Sequence, residues 1–155
     1  MKKTIFTLLL ALLLLSVQTI SAFAETSDIS VTYLPNGDYF VTIIEDVDTS
    51  HVLLSARTTT TKSKTTYYKN SNNQTLWYVK VTGSFTYDGT TAKCTSVTPS
   101  AVSSDSAWKV SNISGSKSGN KATASATGKQ YLNNNVIQTI NKTVTLTCSP
   151  TGVFS

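Results

Sequence analysis

An all-β fold, with two antiparallel sheets packed as a sandwich, is the architecture that residues 25–155 predict. Three observations carry it. Apolar and polar residues alternate through most of this stretch, turn-forming clusters separate the alternating runs at short intervals, and no run keeps a helical period. Each two-faced strand has one side to bury, and closing two sheets face to face buries all of those sides together. The stretch is long enough to build a core of its own, so a single domain, immunoglobulin-like in general architecture, is expected.

The elements follow in order. Ile29-Ser-Val-Thr-Tyr-Leu34 alternates, Pro35-Asn-Gly-Asp38 is a strong turn signal, and Tyr39-Phe-Val-Thr-Ile-Ile44 resumes the strand composition, which makes a hairpin. Asp46 to Ser50 reads as a polar loop, followed by a short apolar patch at Val52-Leu-Leu54. Arg57 to Tyr68 is rich in threonine and offers little to bury. It reads as an edge strand whose Lys62 and Lys64 discourage pairing with another chain. Asn70-Ser-Asn-Asn73 turns the chain into the longest alternating run, Thr75 to Asp88.

In that run Trp77, Val79, Val81, Gly83, Phe85 and Tyr87 share one face, and Tyr78, Lys80, Thr82, Ser84 and Thr86 the other. Its length suggests two strands joined at a bend at Gly83, with Trp108 as a candidate for the space beside the glycine. Asp88-Gly89 turns, Ala92 to Val97 is a strand, and Pro99 to Asp105 reads as a loop. Trp108 to Ile113 is another strand, followed by a connector at 115–120. Ala122, Ala124 and Ala126 alternate with hydroxyl residues, which suits close packing on a second sheet. After the Asn133-Asn-Asn135 turn, Ile140, Val144, Leu146 and Cys148 share a face that Lys142 interrupts.

The first 24 residues read as a secretory signal peptide. Lys2 and Lys3 precede an apolar run from Ile5 to Val17, and Ala22 and Ala24 are the small residues a signal peptidase reads, so cleavage is expected after Ala24. The run is shorter than the roughly 20 residues a membrane anchor needs. A secreted, extracellular protein is the expectation. Removing the signal peptide takes two of the 13 basic residues, leaving 11 against 8 acidic ones. Those charges are segregated: the acidic hairpin region, 25–55, holds Glu25, Asp28, Asp38, Glu45, Asp46 and Asp48 without a basic residue, and the rest carries the lysines. Either the basic body presents a face to an anionic partner such as wall polymer, or the acidic segment packs beside it and cancels part of its field.

Two cysteines, Cys94 and Cys148, in an exported chain read as one disulfide, and both fall on inward faces. No Cys-x-x-Cys motif and no zinc-type cluster is present. His51 is the only histidine, so a Ser-His-Asp arrangement would rest on that loop residue finding unrelated partners. The acidic residues Glu45, Asp46 and Asp48 are too close in the chain to flank a substrate as a glycosidase pair does. The run Asp46 to Ser50 has oxygen donors at alternate positions, as a calcium loop does, but His51 replaces the sixth-position glycine and Arg57 the closing glutamate. A non-enzymatic protein without cofactor or metal is expected, and nucleic acid is an unsuitable partner outside the cell.

Binding is then the remaining class. Lys62, Lys64, Tyr68, Tyr78 and Lys80 form the candidate surface, a basic Thr/Tyr-rich sheet for anionic wall polymer, glycan or an extracellular protein, with no stable membrane insertion expected. A secreted antagonist or toxin acting on membranes through the Thr-rich ribbons is the alternative. Leu34-Pro-Asn-Gly-Asp-Tyr39, Trp77 to Tyr87 with Gly83, Cys94, Ser106-Ala-Trp108, Ser118 to Ala122 and Leu146-Thr-Cys148 give the chain its family likeness. With them it resembles a group of small secreted β-rich proteins of Gram-positive bacteria that have no known activity. The resemblance implies a signal peptide, a β-rich domain and one disulfide, and it supplies no functional residues.

Overall fold

The computed structural model of the protein describes residues 28–47 and 57–155. The expectations placed on the signal peptide, on Asp48 to Ser50, on His51 and on Val52 to Leu54 lie outside the described residues. The rest is all-β, with β1 (Ile29–Tyr33), β2 (Tyr39–Asp46), β3 (Thr58–Lys69), β4 (Thr75–Tyr87), β5 (Ala92–Ser103), β6 (Trp108–Ser118), β7 (Lys121–Leu132) and β8 (Asn135–Thr147). The first five strands form one antiparallel meander and the last three another, each in sequence order. The small sheet packs over β3, β4 and β5. In such a meander every second turn lies at the same end of the molecule.

The strand β3 is not an edge. It lies between β2 and β4, and its threonines suit that place because a branched side chain packs on a pleated surface while its hydroxyl bonds across the ladder. Thr42 and Thr66 hydroxyls lie 2.8 Å apart, and Thr61 and Ser84 2.9 Å apart. The registers Lys64↔Val81 and Lys62↔Gly83 put both lysines on the inward side of the sheet rather than along an open edge.

The run around Gly83 is one continuous strand, not two. Gly83 is there for a close approach: a Cβ would sit 2.6 Å from the Phe85 ring and 2.9 Å from Ala122 of the facing sheet, and Trp108 is not the neighbour. The irregularity in this ladder falls one residue later, at Ser84/Phe85 against β5. Gly128 has the corresponding role on the small sheet, where a Cβ would meet the Trp77 indole at 2.5 Å. Bulky rings on one sheet thus face Ala122, Ala124, Ala126 and Gly128 on the other, which is how two flat faces reach core density.

The strand β5 runs through Pro99 to Ser103, further than the proline suggested. The bond from Ser104 N–H to the Leu76 carbonyl, with Leu76 next to the Trp77↔Ser103 pair, sets the alternation, so the Pro99 nitrogen faces away from β4 and no ladder bond is lost. The Pro99 ring is instead covered by Gly115 of β6.

Cys94 and Cys148 are both buried but are not bonded to one another. The Cys94 thiol donates to the Ser96 carbonyl at 3.1 Å and the Cys148 thiol to the Ser149 carbonyl at 3.3 Å, so each is satisfied within its own segment. Burial pushes the Cys94 thiol up and the Cys148 thiol up to about 11, the latter helped by the neighbouring Cys94. Cysteine parity read as a disulfide is therefore corrected to a pair of protonated thiols.

Candidate functional site

The expected binding residues do not share a face. Tyr68 is fully buried: its ring packs between Phe40 (5.2 Å) and Trp108 (5.2 Å). Lys62 forms an ion pair with Asp46 at 2.6 Å and lies 5.5 Å over the Phe154 ring. Burial lowers the Lys64 amine while nearby Asp28 opposes that shift. The acidic hairpin thus lies against the basic strand and cancels part of its charge. Only Tyr78 and Lys80 remain on the outer face, where Tyr78 stacks on Tyr67 at 5.6 Å. Burial of Tyr67 raises its hydroxyl, aided by Glu45.

A different constellation gathers where the β1–β2, β3–β4, β5–β6 and β7–β8 turns meet. A pocket of about 250 Å³ opens there between the sheets, with Asp38, Asn70, Asp105, Gln130 and Gln138 around Trp108. Leu76 and Ala107 supply its apolar wall. This volume is near the lower end for small-ligand sites.

The turns that carry Asp38, Asn70 and Asp105 are stiffened by their own hydrogen bonds, so these three groups are held in place before any ligand arrives. Asp38 ends the Pro-Asn-Gly-Asp turn, where Leu34 N–H donates to the Asp38 carbonyl at 2.8 Å and Gly37 takes φ +86°. Its Oδ2 accepts from Asn36 Nδ2 at 2.7 Å and from the Tyr68 hydroxyl. Burial, then this bond, pushes Tyr68 up to about 12, so it is a permanent donor at neutral pH. Gln138 also reaches that hydroxyl.

Asn70 accepts from the Asn72 and Gln74 N–H groups at 3.1 and 3.0 Å, an arrangement that closes the β3–β4 turn. Asp105 caps the β5–β6 turn by accepting from Ala107 N–H at 2.8 Å, and the single Ser103 hydroxyl proton lies between the Asp105 and Trp108 carbonyls, 2.8 and 2.9 Å from Oγ. Gln130 and Gln138 stand opposite one another in the β7–β8 register, on the inward face that Ala126 and Gly128 continue. Carboxylate acceptors, amides that both give and accept, and an indole edge are the groups that hold a ligand rich in hydroxyl or amine groups.

None of these pocket residues was a candidate binding residue in the sequence, where Trp108 read as core and Asp38 as part of a turn. A signal was present: Gln130 and Gln138 occupy inward positions in alternating strands, and Asp38, Asn70 and Asp105 sit in alternate turns. Among the described residues no three His, Cys, Asp or Glu side chains come together to hold a metal ion. No family model, curated protein or solved structure matches the chain.

Proposed function

We propose that the chain is an exported, non-catalytic binding module whose end pocket takes the hydroxyl- and amine-bearing end of a glycan. The observation that carries this is the convergence of Asp38, Asn70, Asp105, Gln130 and Gln138 on one space beside Trp108. Both carboxylates already accept bonds from the chain itself, Asp38 from Tyr68 and Asn36 and Asp105 from Ala107, which suits fixed recognition groups better than proton carriers. Two acids in the pocket favour an amino sugar over an acidic polymer. The basic strand supports an anionic wall polymer less well, because Lys62 and Lys64 face the acidic hairpin. Export through a cleaved signal peptide belongs to the same proposal, as does the likeness to small secreted β-rich proteins.

Calorimetric titration with glucosamine oligosaccharides, and with their N-acetylated counterparts as the neutral comparison, tests it. The charged oligosaccharide is expected to bind more tightly, and Asp105→Asn to weaken it about tenfold, the loss of one charge-assisted bond. Absence of binding to both series, or binding indifferent to Asp105→Asn and Gln138→Ala alike, would refute the reading.

A further inference from the structure

Among the described residues the strand β1 is the free edge of the large sheet, and its chemistry is unusual for one. Open edges ordinarily carry a lysine, a proline or a bulge to prevent pairing with another chain. Here Ile29-Ser-Val-Thr-Tyr33 has none of these, and all five residues are exposed. Ile29, Val31 and Tyr33 are 59%, 47% and 76% exposed.

The direction of the free backbone groups follows from two bonds. Ile44 N–H donates to the Asp28 carbonyl at 3.3 Å and Leu34 N–H to the Asp38 carbonyl at 2.8 Å. Even-numbered residues of this segment therefore bond to β2, and the N–H and C=O groups of Ile29, Val31 and Tyr33 point to the open side. The side chains of these same residues lie on the outer face of the sheet, in rows with Ile43, Val41 and Tyr39. Val41 continues that row to Tyr67 and Tyr78.

We infer that β1 pairs with β1 of a second copy of this chain, antiparallel about Val31, and joins two five-stranded sheets into one. The sequence is self-complementary in that register. Val31 meets its own symmetry mate, and Ile29 meets Tyr33 on the same outer face, an aliphatic–aromatic pair of the kind that stabilises sheets. Every outward-pointing backbone group of the strand gains a partner, and no charge falls inside the new ladder. The symmetry is closed, so pairing stops at a dimer. The opposite edge of the sheet, β5, lies against β6, with the Pro99 ring under Gly115.

Sedimentation of the full chain, recovered as an exporting host processes it, tests this over a range of concentrations. The unsubstituted protein is expected to sediment as a dimer that dissociates on dilution. Val31→Pro removes only an N–H that points to the open side, so it is expected to give a monomer with the β1–β2 pairing intact. Val31→Lys places two like charges opposite one another across the symmetry axis and gives the same monomer if the proline disturbs the strand. An unsubstituted protein that is monomeric at every concentration overturns the inference, as does a dimer that survives both substitutions.

Discussion

The two ends of the sandwich are built by the same meander and finished in opposite ways. At one end the chain plugs itself. Cys148 bridges to Phe154, and the Phe154 ring meets Phe85 edge-on at 5.2 Å. Gly89 N–H donates to the Pro150 carbonyl, and Gly152, at φ +82°, lies against the Tyr87 ring. The C-terminal residues thus close the core with an aromatic ring. At the other end, among the described residues, no segment folds back, the turns are polar and hydrogen-bonded within themselves, and a pocket remains between the sheets. The contrast teaches that the polar end is not simply where the core runs out. Gln130 and Gln138 stand at inward positions where the closed end has Ala122 and Leu146.

Substitutions at the two ends should therefore separate stability from binding. The largest expected effect is at the closed end: Phe85→Ala removes a fully buried ring and should cost about 3–5 kcal/mol in a denaturant titration. Gly128→Ala, in the core one inward step from Gln130, forces a methyl group into the Trp77 indole and should cost about 1–3 kcal/mol. A loss below a few tenths would mean that the sheets separate readily there. Gln138→Ala, at the open end, should leave stability within about 0.5 kcal/mol while removing glycan binding. A large loss of stability instead would make the pocket a structural feature and erase the contrast.

Alkaline pH sharpens the same comparison. Tyr68 titrates near 10 in the unfolded chain and is raised to about 12 in the fold, so the folded state holds the proton longer. Its contribution is fully present below pH 10 and is lost as pH rises through 12. The stability of Tyr68→Phe should accordingly fall less steeply across that window. The closed end responds at somewhat lower pH: Cys148, raised from 9.0 to about 11, should stay a thiol and react with a thiol reagent at neutral pH far more slowly in the folded chain than in denaturant. Equal rates in the two states would show that the plug opens easily.

Much of this fold was legible from residue alternation. The Pro35–Asp38 turn, the inward row from Trp77 to Phe85 and the alanine row from Ala122 to Ala126 all lie where their period of two puts them, because a strand with one buried face must alternate. What alternation cannot give is a strand's neighbours. Arg57 to Tyr68 read as an edge because its threonines lack bulk, yet the strand lies between β2 and β4, where the Thr66 and Thr61 hydroxyls bond across the ladder. Tyr68 was misassigned for another reason: the threonine-rich run has no apolar row to show which of the adjacent Tyr67 and Tyr68 faces inward, and only the register Tyr68↔Trp77 decides it. The pocket was hidden for a related reason: Asp38, Asn70, Asp105, Gln130 and Gln138 are scattered along the chain, and only the order of strands brings their turns to one end.

The most direct test of the central claim, that the open end is the recognition end, is a map of backbone amide shifts on adding glucosamine oligosaccharide. The account predicts that the moved resonances cluster at Asp38, Asn70, Asp105, Trp108, Gln130 and Gln138 and leave Phe85, Cys148 and Phe154 unchanged. Shifts confined to Tyr67, Tyr78 and Lys80 on the outer face, with the pocket silent, would contradict it.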